Sequence, residues 1–409
     1  MYTYQVGISA QEHDTFVKTS NQTNLLQSSN WAKIKDNWGN DRLGFYKDGK
    51  LLAVASVLVQ PLPLGFTLIY IPRGPIMDYN DKDLVNFVIK SLKKYGKTKR
   101  ALFIKFDPSL FLKQINLSDK EAKSDDNFET LSIIETLTQV GAQWVGRTTD
   151  IAENIQPRFQ ANIYSKDFDF DSLPKKTKQS IKQSRNRGVV VEFGGAEFLP
   201  DFAELMKKTE SRKGIHLRGL DYYQKLLATY PDDSYVTMAF LNLSERIAKL
   251  EAQKDKCLLT EKASFTEKTR QSKVDNNAKE LERLEEEIAF LTSKLSQKGD
   301  KVPLAATISL NFGNTSENIY AGMDDDFKRY LPAINVWYET ANHAFEKGIE
   351  WQNMGGVEND LSGGLYNFKS KFNPTIEEFI GEFNIPVNPI LYRLSNLAYS
   401  IRKKLRSKH

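Results

Sequence analysis

The sequence predicts an α/β (α+β) protein built from two similar units, with an antiparallel coiled-coil arm inserted in the second. Three observations carry this expectation. The chain is 409 residues long with 40% hydrophobic content, enough for more than one core. The order helix, hairpin, strand, helix, strand occurs twice along it. A stretch of different composition, roughly 244–298, interrupts the second copy.

In the first copy, "NLLQSSNWAKIKDNW" (24–38) reads as a short helix entered through Ser28 or Ser29. "RLGFYKDGKLLAVASVLVQPLP" reads as two strands around the turn Lys47-Asp48-Gly49-Lys50, and "FTLIYIPRGP" as a third. "DKDLVNFVIKSLKKYG" places Leu84, Phe87, Val88, Leu92 and Tyr95 on one helical face, and the apolar run "ALFIKFD" follows as a buried strand ending at Asp107. In the second copy, "FLPDFAELMKKTESRKG" is a helix and "SYVTMAFLN" a strand. "PLAATISLNFGNTSENIYAGMDD" is a hairpin turning at Gly313-Asn314, "PAINVWYETANHAFEKG" a helix and "IEWQNMGG" a strand. Two such units packed together create a cleft, a common place for substrate sites.

The inserted stretch is charged, free of proline and nearly free of aromatics. Leu281, Leu284, Ile288, Leu291 and Leu295 repeat at the spacing of a coiled-coil seam. Leu243, Ile247, Leu250 and Cys257 form the facing seam, with Lys254 at a position that should be apolar. Two antiparallel helices turning near "SFTEKTRQSK" satisfy this pattern. Cys257, on the seam, is read as a small apolar filler rather than a nucleophile.

No window approaches the run of about eighteen apolar residues that a spanning helix needs, and the N-terminus lacks a secretion signal. A single cysteine agrees with a reducing compartment, so a cytoplasmic location is expected. A net charge of +5 is mildly basic, so any polyanion site must come from clustering. Two clusters qualify, "PKKTKQSIKQSRNRG" (174–188) and the tail "RKKLRSKH" (402–409). In the first, Lys178, Lys182 and Arg185 share a helical face, with no acid interrupting the segment. A solvated face is the ordinary alternative.

Several chemistries lack their residues. There is no phosphate loop ending in Lys-Ser or Lys-Thr, and no Gly-x-Ser-x-Gly elbow. The four histidines (13, 216, 343 and 409) are scattered, without zinc-ligand spacing. No cofactor is expected. Any reaction would be direct transfer from an activated donor, accelerated by positioning and electrostatics. In "GGLYNFKSKF" (363–372), Lys369 follows Phe368 in an apolar, aromatic run. Seated among Tyr366, Phe368 and Phe372, its ammonium would be partly desolvated and its field strengthened.

Eight blocks occur in the order seen in the Fem family of peptidoglycan branch-forming aminoacyltransferases: "WAKIKDNW" (31–38), "FDP" (106–108), "IQPR" (155–158), "KTKQSIKQSRNRG" (176–188), "KGIHLRGLDYY" (213–223), "YAGMDD" (320–325), "MGGVEN" (354–359) and "LYNFKSKF" (365–372). The chain resembles that family over nearly its whole length, and most of all its MurM and MurN branch, which attaches alanine or serine to the stem-peptide lysine. "HLRG" has Gly219 where some relatives carry proline, and Asp221 stands where a glutamate can occur.

The resemblance implies two domains of the acetyltransferase-like (GNAT) fold. The first would span 1–150, joined by a C-terminal segment of about 380–409; the second would comprise 151–243 and 299–379, with the arm at 244–298. It implies aminoacyl-tRNA as donor and lipid II as acceptor. Lys35, Asn37, Arg218, Tyr222 and Tyr320 would bind the diphosphate end of the muropeptide. Asp107 would lie near the acceptor amine, emerging from its strand into the cleft, with a turn cap at Pro108 as the ordinary alternative. Phe368 and Lys369 would lie at the transfer centre or against the tRNA end. Lys178, Lys182 and Arg185 would track the tRNA acceptor stem. The basic tail would lie on the inner membrane surface, and the arm would be available to a protein partner. Two rivals remain: an acyl-CoA-dependent N-acyltransferase, for which no convincing glycine-rich pyrophosphate turn is found, and a noncatalytic coiled-coil adaptor for tRNA or a synthetase.

Overall fold

The computed structural model describes residues 1–118, 125–264, 266 and 270–396, so the basic tail 402–409 lies outside the described residues. The strands are β1 (Tyr2–Val6), β2 (Gly39–Lys47), β3 (Lys50–Pro61), β4 (Thr67–Ile71), β5 (Ile76–Met77), β6 (Ala101–Phe106), β7 (Phe111–Asn116), β8 (Gln143–Trp144), β9 (Phe159–Tyr164), β10 (Val189–Gly194), β11 (Ser234–Asn242), β12 (Lys301–Phe312), β13 (Thr315–Met323), β14 (Trp351–Gly356), β15 (Thr375–Phe379) and β16 (Phe383–Pro386). The helices are α1 (Ala10–Lys18), α2 (Ser29–Ile34), α3 (Lys82–Thr98), α4 (Phe128–Gln139), α5 (Lys175–Asn186), α6 (Leu199–Lys213), α7 (Leu220–Thr229), α8 (Leu243–Ser264), α9 (Gln271–Lys298), α10 (Pro332–Glu346) and α11 (Gly364–Lys369).

Two mixed sheets result, in the orders β1-β2-β3-β4-β6-β16-β8, with β5 on β3, and β10-β11-β12-β13-β14-β9-β15-β7. The duplication is explicit. In each, an antiparallel run (β2-β3-β4 or β11-β12-β13) is followed by a parallel partner, β6 or β14, reached through a helix, α3 or α10. The first hairpin turns where Asp48 and Gly49 both have positive φ, 50° and 82°, the geometry that matches strand twist in two-residue turns. Ser28 caps α2 by accepting from Trp31 N at 3.1 Å, and Asp81 caps α3 by accepting from Leu84 N at 3.0 Å.

β7, which lies within the expected first domain 1–150, pairs instead with β15 at the edge of the second sheet; β16, from the segment expected to join the first domain, lies between β6 and β8 in the first sheet. A turn at Pro108–Leu110 sends the chain across, and ladder pairing with β15 satisfies the backbone of β7. The expected cleft is also partly filled. Val17, Trp31, Ile34 and Ile76 from the first half share one core with Phe202, Met206, Tyr223 and Ile308 from the second.

α8 and α9 pack antiparallel, burying Leu250, Leu284 and Leu291, with Ile247, Cys257, Ile288 and Leu295 alongside. Lys254 is accommodated at its seam position by an ion pair to Glu285 at 2.7 Å. At the base, buried Glu287 accepts from Arg246 (2.8 Å), Arg283 (2.9 Å) and the Tyr330 hydroxyl (2.7 Å), which fixes the arm to the body.

Candidate active site

At the junction of the sheets, the end of β6 presents Asp107. The carboxylate does not emerge into an open cleft as expected: the residue is 2% exposed. Its Oδ1 accepts from the Arg73 backbone N at 3.0 Å, and its Oδ2 lies 3.7 Å from Arg73 Nη1, without a hydrogen-bond partner. Burial pushes Asp107 up to about 6, against the pull of the Arg73 guanidinium.

Arg73 is itself buried. Its Nη2 donates to the Pro157 carbonyl at 2.9 Å, and its guanidinium stacks 3.7 Å from the Phe379 ring centre. Glu317 on β13 is a second buried acid within its field, pushed by burial up to about 7 although Asn353 Nδ2 donates to it at 2.7 Å. Arg73 thus joins acids from both sheets.

Lys369 ends a short helix, α11. It is 6% exposed, and its Nζ donates to the Gly356 carbonyl at 2.8 Å. Burial brings its ammonium down to about 7, Glu358 opposing and Lys213 assisting. The ring over Lys369 Nζ is that of Trp337, at 5.9 Å, and Phe368 packs edge-on against Trp337 and Phe372, with ring centres 5.6 and 5.8 Å away.

A third group gathers across the junction. Lys35, at the end of α2, stands 5.2 Å from the Trp31 ring centre. Burial lowers its pKa, and the Arg218 charge lowers it further. Arg218 lies 5.1 Å from the Tyr222 ring centre, and Tyr222 meets Tyr320 edge-on at 6.1 Å. Among the described residues neither Lys35 nor Arg218 has a carboxylate ion-pair partner. The α2–α7 contact that brings them together is held by Asp36 with Lys225 and by Asn30 with the Thr229 carbonyl. Asn37 is exposed on the turn after Lys35.

A cavity of about 420 Å³ beside Arg218 is lined by Glu204, Lys207, Glu210 and His216, but not by Lys35, Asp107 or Lys369. Asp107 and Lys369 are linked through packed protein instead: Arg73 holds Pro157, the Pro157 ring lies against Gly356, and Gly356 holds Lys369. The loop from Lys213 to Arg218 spans the other two groups, its first residue acting on Lys369 and its last on Lys35.

The basic stripe on α5 forms, yet it is not bare. Arg185 pairs with Glu339 at 2.5 Å, and Lys178 Nζ donates to the Asp171 carbonyl at 3.0 Å with its carboxylate nearby. Both acids lie outside the segment that reads as uninterrupted. Lys182, over Phe170 at 5.6 Å, has no ion pair among the described residues.

Sequence reasoning missed Arg73 and Glu317. The signal for Arg73 was a lone charge between prolines in "YIPRGPIM", an otherwise apolar stretch. For Glu317 it was an acid inside a strand that is otherwise uncharged up to Gly322. Among the described residues, no cluster of three or more His, Cys, Asp or Glu is placed to hold a metal ion, and no helix is long and apolar enough to cross a membrane.

Comparison with known proteins places these features in context. The lipid II:glycine glycyltransferase of Staphylococcus haemolyticus (strain JCSC1435) is 28% identical over 433 aligned residues, covering 99% of this chain and 100% of that protein. The enzyme of the same name from Staphylococcus aureus (strain MRSA252) is 27% identical over 440, with the same coverage. The crystal structure of FemX superposes with a TM-score of 0.75 at 26% identity, covering 96% of this chain and 99% of FemX. The family model described as the FemAB family matches residues 8–400, and the chain belongs to that family.

Proposed function

We propose that this chain is an aminoacyltransferase that moves one amino acid from aminoacyl-tRNA to the stem-peptide lysine amine of lipid II, building the interpeptide bridge of branched peptidoglycan. The observation that carries this reading is the pair Lys35 and Arg218, two cations from separate halves of the chain held within each other's field, neither ion-paired to a carboxylate among the described residues. Like charges so placed favour a polyanion between them, and a diphosphate supplies the matching charge. The naming of the staphylococcal relatives for lipid II agrees with this acceptor.

The reaction is aminolysis of an ester. The acceptor ammonium gives up a proton, its nitrogen bonds to the ester carbon, and the bond from that carbon to the tRNA ribose oxygen breaks. A further proton from the attacking nitrogen ends on the departing ribose oxygen. Asp107, with a carboxyl pushed up to about 6, holds the ammonium and accepts the first proton. Its Oδ2 is covered in this structure, so arrival of the acceptor has to uncover it. Lys369, protonated, steadies the developing oxyanion from a desolvated position, with Phe368 shaping its wall. Asn37, Tyr222 and Tyr320 complete the muropeptide wall, and Lys178, Lys182 and Arg185 lie along the tRNA.

Alanine or serine is the amino acid that the MurM and MurN resemblance favours, whereas the staphylococcal relatives are named for glycine. The enzyme works in the cytoplasm at the inner membrane face, where lipid II is presented. The arm offers a protein partner the exposed Leu258 and Leu259. The test is incubation of the chain with lipid II and tRNA charged with radiolabelled glycine, alanine or serine. Label is expected in the lipid fraction only with intact charged tRNA; label that enters after RNase treatment, or only from acyl-CoA, overturns the proposal.

A further inference from the structure

We propose that Arg73 is a positioning residue of this transfer, fixing the Asp107 carboxylate so that one oxygen stays free for the acceptor amine while the same guanidinium clamps the entry of β9. The inference rests on the transferase reading above and deepens it.

The geometry divides Arg73 into separate tasks. Its backbone N engages Oδ1 at 3.0 Å, while Nη1 stays 3.7 Å from Oδ2, close enough to act by charge and too far to occupy it as a hydrogen-bond donor. Nη2 is committed to the Pro157 carbonyl at 2.9 Å, and the Phe379 ring fixes the guanidinium plane. The residue sits at φ +50°, an uncommon backbone conformation for a side chain with a Cβ. Such conformations persist where the surroundings over-determine them, as these contacts do.

Three other groups act on Asp107: the Tyr70 and Tyr79 side chains and the Glu382 carboxylate, which is ion-paired with Lys105. Arg73 is the cation among the groups acting directly on it, and Glu317 faces Arg73 from the second sheet. Removing the guanidinium therefore raises the affinity of Asp107 for protons and takes away the Pro157 and Phe379 contacts that fix the residue whose backbone N holds Oδ1, without touching the Lys35–Arg218 group.

The test is aminoacyl transfer by Arg73→Met and Arg73→Lys across about pH 5 to 9, with kcat and KM for lipid II separated. Arg73→Met is expected to lower kcat about tenfold or more with KM changed less than about threefold, and to move the acidic limb of the rate profile to higher pH. Arg73→Lys is expected to move the limb part of the way back. Should Arg73→Met show no cooperative melt, the limb and kcat of Arg73→Lys against wild type decide. A folded variant with the wild-type limb overturns the positioning role, even if its melting temperature falls. Failure of the wild-type chain with every charged tRNA refutes the transferase reading itself, an outcome separate from an unmoved limb in an active enzyme.

Discussion

Lys369 Nζ donates to the carbonyl of Gly356 at 2.8 Å, and a Cβ placed on Gly356 would meet the Pro157 ring at 2.5 Å. The lysine therefore reads the position of a backbone that admits no side chain and that abuts the segment held by Arg73. Burial without a paired carboxylate makes its charge conditional.

Lys369→Met should lower kcat about a hundredfold, the scale expected for losing an oxyanion partner, with little change in KM for lipid II. Because burial brings Lys369 down to about 7 from 10.5, its cation is present below that pH and is lost above it. Wild-type transfer should decline on the alkaline side. The stability sign follows from the same shift. Between about pH 7 and 10 the unfolded lysine holds a proton that the folded one lacks, so wild-type stability relative to Lys369→Met should rise with pH. Paired melts across that range decide it, and a flat difference contradicts the burial argument.

Glu317 gives the opposite sign. Its folded carboxyl is pushed up to about 7, so between 4.5 and 7 the folded chain binds a proton that the unfolded chain does not. Stability contributed by this group falls as pH rises through that window. Glu317→Gln, which cannot ionise, should gain on wild type in urea denaturation as pH moves from about 4.5 to 7. A difference that shrinks instead refutes the assignment.

Lys35→Ala and Arg218→Ala should each raise KM for lipid II about tenfold, the scale of a charge-assisted contact. If both hold one diphosphate, their combined effect should depart from additivity, because each variant removes part of the same site. Strict additivity would indicate two separate ligands.

On α5, Lys182→Ala should weaken binding of charged tRNA more than Arg185→Ala, since Arg185 is already engaged by Glu339. The salt slope of binding should drop by about one for Lys182→Ala if it neutralises a phosphate. Equal effects of the two substitutions would mean that the Glu339 pair opens on binding.

Glu287→Ala strands Arg246 in the base of the arm and should cost about 3–5 kcal/mol, read by chemical denaturation. Lys254→Leu, at the seam position, should by contrast hold or slightly raise stability, because an apolar side chain suits that register.

Much of the local structure was legible before any coordinates. Period-two and period-3.6 patterns marked both hairpins, α3, α6 and α10, and the leucine spacing marked the arm. These are near-neighbour properties, fixed by backbone geometry within one or two turns. The aromatic ring over Lys369 was not legible in this way, since Trp337 comes from α10 rather than from its sequence neighbours.

What the chain alone determined was its element types, the repeated order, the arm and, through eight ordered blocks, its family. The tertiary structure decided the rest: that β7 joins the second sheet, that Asp107 is covered, that Arg73 and Glu317 meet across the junction, and that acids outside the basic segment engage two cations of α5. The physical reason is range. Periodicity is set by adjacent residues, whereas desolvation and charge pairing depend on which atoms the fold brings together, of which a linear pattern carries little trace.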